Sequence, residues 1–106
     1  MKKFLREERQ KRESLGFIEV RGVTAAIDAL DIMCKTADVR FVTWERRLGG
    51  WLVTIVIEGA VSAVTEAVEA ALARSLVKPC AHAVIANPHE ETARMVAISA
   101  SRLKKV

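Results

Sequence analysis

Hydrophobic positions along the chain alternate between short β-branched runs and longer stretches with a three- to four-residue repeat. Residues 15–21 alternate loosely and predict a first strand. Gly22 interrupts it, and Thr24 is suited to be the N-cap or a first-turn residue of a helix reaching about Ala37. In that helix Val23, Ala26, Ile27, Leu30, Met33 and Cys34 are expected to form one buried stripe, with Asp28, Asp31 and Lys35 on the other faces. Asp38 leads into a second strand, 39–46, and a third follows at 51–58. A short Gly-Gly loop between two such runs predicts an antiparallel hairpin. Gly59 precedes a second helix, 60–76, with Val61, Val64, Val68, Ala71 and Leu72 inward and Thr65, Glu66 and Glu69 outward. Lys78-Pro79 ends it, residues 80–86 read as a fourth strand, and Asn87-Pro88-His89 as a turn. Helical character then runs from Glu90 to about Leu103.

The order β-α-β-β-α-β plus a C-terminal helix predicts an α+β, ferredoxin-like variant: an antiparallel sheet with helices on one face. Residues 1–14 read as a charged N-terminal extension and 15–106 as the domain. In the extension Phe4 and Leu5 are the apolar side chains besides Met1, so it suits a solvated helix with Glu7–Lys11 and Glu8–Arg12 pairs, or a frayed tail.

The hairpin tip changes this picture. Trp44-Glu45-Arg46-Arg47-Leu48-Gly49-Gly50-Trp51 mixes two arginines, a leucine and a tryptophan where a solvated turn needs none of them. A partner is expected to cover or repeat it. Composition agrees, since 51% of the 106 residues are hydrophobic, mostly Ala, Val, Ile and Leu, with a mean hydropathy of +0.17. A chain of this length buries only about two-thirds of its unfolded surface, so the excess suits an oligomer.

The net charge of +4 lies mostly at the ends, with six Lys or Arg against two Glu in residues 1–12. Solvated ends are the favoured reading over nucleic acid. No apolar stretch approaches the ~20 residues of a membrane span, and the N-terminus carries no apolar signal core. A cytoplasmic protein is expected.

Candidate chemistry is sparse. Cys34 and Cys80 form no C-x-x-C and are expected to be buried as small hydrophobes. Cys80 and His82 on one strand face are a two-ligand edge at most, so no metal or cofactor is expected. P-loop, G-x-G-x-x-G and G-x-S-x-G motifs are absent. Glu19 and Glu45 could face each other across strands, and His89 suits helix capping better than base catalysis. No enzymatic activity is expected.

Several segments in register carry a resemblance. They are Leu15-Gly16-Phe17-Ile18-Glu19-Val20-Arg21-Gly22 with Thr24-Ala25-Ala26-Ile27-Asp28-Ala29, then Met33-Cys34-Lys35-Thr36-Ala37-Asp38-Val39. Leu52-Val53-Thr54-Ile55-Val56-Ile57-Glu58-Gly59, Val61-Ser62-Ala63-Val64 and Val84-Ile85-Ala86-Asn87-Pro88-His89 follow. Together they resemble the bacterial microcompartment shell proteins of single-domain, hexamer-forming type.

The resemblance implies a homohexamer that tiles with other shell proteins into facets around encapsulated enzymes, in a microcompartment in the cytoplasm. It implies a pore on the six-fold axis for small metabolites, and partners that include neither nucleic acid nor membrane. By the same resemblance Lys35 matches the family's edge lysine, and Pro88-His89 matches a pair near that edge. Asn87 stands where arginine is common.

The loop matches the pore segment, one residue longer than its commonest version, with Trp51 where a small residue often sits. Leu48, Gly49 and Gly50 are candidates for the constriction, Arg46 and Arg47 for its surroundings, and Trp51 for a subunit contact. Repeated guanidiniums favour anions. Three alternatives stay open: the arginines pair with Glu45 or Glu58 between subunits, Leu48 makes an apolar neck, or the loop closes the hole. The alternative function from another class is an oligomeric, small-ligand-binding regulatory domain of ferredoxin-like fold.

Overall fold

A computed structural model of the chain describes residues 13–103; residues 1–12, with most of the expected extension, and 104–106 lie outside the described residues. The elements are β1 (Ser14–Arg21), α1 (Val23–Thr36), β2 (Arg40–Arg47), β3 (Leu52–Gly59), α2 (Val61–Arg74), β4 (Ala81–Ile85) and α3 (Glu90–Leu103). The sheet runs β2-β3-β1-β4, with every neighbouring pair antiparallel. This is the α+β, ferredoxin-like arrangement expected from the order of elements.

Strand alternation divides the sheet into two faces. Ile18 opposite Ile55 and Val20 opposite Val53 lie on the face that α1 and α2 cover. Ala25, Ala26, Ala29 and Met33 of α1, and Val64, Ala67, Val68 and Ala71 of α2, complete that core. The buried stripe of α1 is therefore rotated from the one expected. Ile27 is 54% exposed and Cys34 is exposed, because alanines let the helix approach the sheet and α2 closely. Val61 also points outward rather than in.

That closeness is sharpest at Gly16. A Cβ there would lie 2.7 Å from Val64 Cγ1 and 3.0 Å from Ile57 Cγ1, so a glycine is what lets α2 lie against β1.

α2 ends at Arg74, two residues before the expected stop, and the N–H of Leu76 donates to Asp28 Oδ2 at 2.7 Å. Cys80 precedes β4 rather than opening it, and it is exposed, not buried. Its N–H donates to the Glu19 carbonyl at 2.8 Å, an extra rung that leaves the thiol at the surface. Thr24 falls in the first turn of α1, and Gly22 takes the N-cap position.

The opposite face carries α3, which lies over β2. A bulge between Phe41 and Thr43 shifts the register of β2, and Thr43 then pairs with Val56 on this second face. Thr43, only 1% exposed, shares a 2.8 Å hydrogen bond with Ser99 of α3, and Ser99 Oγ donates to Glu45. Because the serine proton goes to the carboxylate, Thr43 supplies the proton of the first bond.

Two outcomes are expected. Gly16→Ala should lower stability by about 1–3 kcal/mol in urea unfolding, and Val64→Ala added to it should recover part of the loss. Equal losses in both backgrounds would mean that Gly16 does not set the helix distance. Ser99→Ala should cost about 1–3 kcal/mol by stranding the Thr43 hydroxyl. Hydrogen exchange in α3 should accelerate with it, and unchanged protection there would refute the tether.

Candidate functional site

The hairpin between β2 and β3 is built by its backbone. Leu48–Gly50 forms a tight left-handed turn whose three residues all have positive φ, 54° at Leu48, 65° at Gly49 and 92° at Gly50. Glycine adopts this region freely, whereas Leu48 does so at a cost of roughly 1–2 kcal/mol. The turn closes through the Trp51 N–H onto the Leu48 carbonyl at 3.2 Å. The Trp51 carbonyl in turn accepts the Gly22 N–H at 2.9 Å, which fastens the loop to the start of α1. A Cβ on Gly50 would lie 3.0 Å from Val23, so the second glycine also accommodates that helix. Trp51 belongs to the turn, not to β3, which begins at Leu52.

Leu48 is 76% exposed and Trp51 63% exposed in the single subunit. The tip of the loop is therefore apolar and left uncovered by the described residues.

Arg46 and Arg47 are separated by strand alternation. Arg46 pairs with Val53 on the α1–α2 side, its guanidinium 5.3 Å from the centre of the Trp44 ring, a cation–π contact. Arg47 pairs with Leu52 on the α3 side. Sequence reasoning missed two further cations at this end. Arg21 also pairs with Leu52, and Arg102 of α3 lies 3.9 Å from Glu45. Their signal was the odd position of Arg21 in β1, usable only once the strand register was known. The N-terminus of α1 adds to the positive character, since its first turn holds neither an acidic residue nor a side-chain cap.

Glu19 and Glu45 share the α3 side but do not face each other, because β3 runs between their strands and Thr54 separates them. Glu45 is engaged by Ser99 and Arg102 rather than by Arg46. Glu58 sits at the other end of β3, where it accepts from Arg40 at 3.4 Å, alongside Glu13. These two carboxylates raise the pKa of the Arg40 guanidinium.

The second group lies at that far end. Arg40 pairs with Glu58, Glu58 with Leu15 and Leu15 with Ile85, so the end of α1 and the turn after β4 flank one sheet end. Lys35 is exposed and its Nζ lies 2.8 Å from Asp31. That hydrogen bond, reinforced by the charge of Asp31, raises the lysine pKa. Burial first, and Asp31 second, raise the neighbouring Cys34 thiol.

Asn87 has φ 44° and turns the chain, and Pro88 is buried against a groove lined by Leu15, Arg40, Val42 and Glu58. His89 caps α3, its Nδ1 accepting the Glu91 N–H at 3.0 Å. Lys35 and His89 thus share an end of the fold, with different local partners. Among the described residues no cluster of His, Cys, Asp and Glu is arranged to hold a metal. No helix among them is long and apolar enough to cross a membrane.

Comparison with known proteins is consistent across sequence and structure. Residues 14–88 match the family model described as the BMC domain. The chain is 40% identical over 88 residues to the bacterial microcompartment shell protein PduA of Citrobacter freundii, covering 81% of this chain and 94% of that one. It is 41% identical over 94 residues to the carboxysome shell protein CsoS1C of Hydrogenovibrio crunogenus, covering 83% and 88%. Among solved structures, a microcompartment protein from Desulfitobacterium hafniense DCB superposes with a TM-score of 0.70 at 25% identity. That match covers 82% of this chain but 48% of the other, so this chain spans about half its length. With residues 14–88 matching the BMC domain and relatives named as shell proteins over four-fifths of its length, the chain belongs to the BMC-domain shell proteins, in their single-domain form.

Proposed function

We propose that six copies of this chain form a ring that tiles, with other shell proteins, into the facets of a bacterial microcompartment. In this reading the loop from Arg46 to Trp51 faces the six-fold axis, and Lys35 with Asn87, Pro88 and His89 lies at the perimeter.

The observation that carries the reading is their separation. β2 joins the two groups, with Arg40 at one end and Arg47 at the other. Seven strand steps span roughly 23 Å. A subunit built this way can present one end to an axis and the other to a neighbouring ring without the two contacts competing. The uncovered apolar side chains support it further, since Ile27, Phe41, Trp51 and Leu76 are all exposed in the lone subunit.

At the axis, Gly49 and Gly50 keep six backbones from crowding, and Leu48 narrows the passage. Arg46 and Arg47 place guanidiniums around it, which favours small polar or anionic metabolites. At the perimeter, Asp31 offsets the charge of Lys35, so two lysines can meet across a seam with less repulsion. The role is structural rather than catalytic. The shell would lie in the cytoplasm and enclose enzymes whose metabolites pass through the pore.

Size-exclusion chromatography with light scattering should give a hexamer, and a stable monomer would overturn the ring. Lys35→Ala should leave hexamers intact while electron microscopy shows sheets lost or sparse; sheets as extensive as those of the parent chain would remove Lys35 from the edge. Trp51→Ala should shift the hexamer toward smaller species at micromolar concentration without changing subunit stability by more than about 0.5 kcal/mol. If the hexamer is as persistent as before, Trp51 is no subunit contact.

A further inference from the structure

We infer that Arg21 and Arg47 form one oxyanion-binding clamp on the α3 side of the sheet, at the mouth of the proposed pore, and that it takes a small dianion of the phosphate class. The inference deepens the pore reading and rests on it for the position of the clamp around an axis.

Strand register carries the argument. Arg21 of β1 and Arg47 of β2 both pair with Leu52 of β3, so the three side chains form one row across the sheet and leave it on the same face. Two inter-strand spacings put the arginine backbones roughly 9.6 Å apart. A guanidinium on a long stem from each side can close over the shorter leucine between them and offer paired N–H donors to one anion. Both arginines are exposed, and among the described residues neither enters an ion pair within the subunit.

The nearby charges are already committed or lie elsewhere. Arg102, the third cation on this face, lies 3.9 Å from Glu45, which also accepts from Ser99. Arg46, although adjacent in sequence to Arg47, starts from the opposite face, lies over Trp44 and lines a cavity at the β2 edge with Ser99 and Arg102. Of the two consecutive arginines only Arg47 stands in the Leu52 row, and it is the one that belongs to the clamp. Glu19 occupies the next row on the same face, opposite Thr54. Its carboxylate opposes an anion held over Leu52, and with the clamp it sets the affinity. Two guanidiniums against one charge favour a dianion over a monocarboxylate.

The test is titration of the full-length protein with inorganic phosphate, and separately with acetate, followed by calorimetry and by the arginine side-chain N–H resonances. Phosphate should bind more tightly than acetate. Arg21→Gln and Arg47→Gln should each weaken phosphate binding about tenfold, as loss of a charged hydrogen-bonding partner does. Arg21→Lys should retain part of the affinity, Arg94→Gln, which removes an exposed α3 cation paired with Glu91, should stay within about twofold, and Glu19→Gln should tighten binding.

An unaltered affinity in Arg21→Gln, an equal loss in Arg94→Gln, or no phosphate binding by the parent protein would overturn the clamp. The readout does not require a ring. Binding that depends on Arg21 in a monomeric protein would uphold the clamp and reject the pore reading, whereas hexamers indifferent to Arg21→Gln would do the reverse.

Discussion

The pairing of β1 with β3, from Ser14 opposite Gly59 to Arg21 opposite Leu52, is the constraint on which the rest of this molecule depends. A slip of one residue would turn Ile18 and Val20 away from α1 and α2 and send Phe17 and Glu19 into the core. The buried rows hold the register, because Ile18, Val20, Val53, Ile55 and Ile57 are each at most 1% exposed. Once they are fixed, the opposite face follows by alternation. Arg21, Arg47 and Leu52 make one row there, Glu19, Thr54 and Glu45 the next, and Phe17, Val56 and Thr43 a third.

Function follows from what that register leaves at its two ends. One end carries a turn of three residues with positive φ, bonded through Trp51 to the start of α1, so its tip is held by backbone contacts. The other carries Lys35 beside Asp31, and a buried Pro88 followed by a histidine that caps α3. α3 is a separate layer, tied to the sheet by the hydrogen bonds among Thr43, Ser99 and Glu45. Such a polar tether suits a helix that must leave Met95 and Ile98 at the surface.

Much of this was readable in advance. β-branched runs bounded by glycine and proline located the four strands, and the Gly-Gly loop identified the hairpin, because these residues act through local backbone preference. The resemblance pointed to the shell-protein family, and the match of residues 14–88 to the BMC domain bears that out. Which face of α1 is buried was not readable. Hydropathy favoured Ile27 and Cys34, whereas close packing selected Ala25 and Ala29, since the distance between a helix and a sheet is set by small side chains. Cys80 was likewise expected inside, and hydrogen bonds from its N–H and its thiol to the Glu19 carbonyl hold it at the surface.

The sequence by itself determined the order of elements, the antiparallel hairpin and the chemistry of its tip, all of which depend on neighbours within a few residues. Tertiary structure alone decided that Arg21 stands in one row with Arg47, that Arg46 does not, and that Ser99 reaches Thr43 and Glu45. The bulge at Val42 shows the reason. One extra residue in β2 decides which face Thr43 takes, and that choice depends on the partner strand rather than on the identity of the residues beside it.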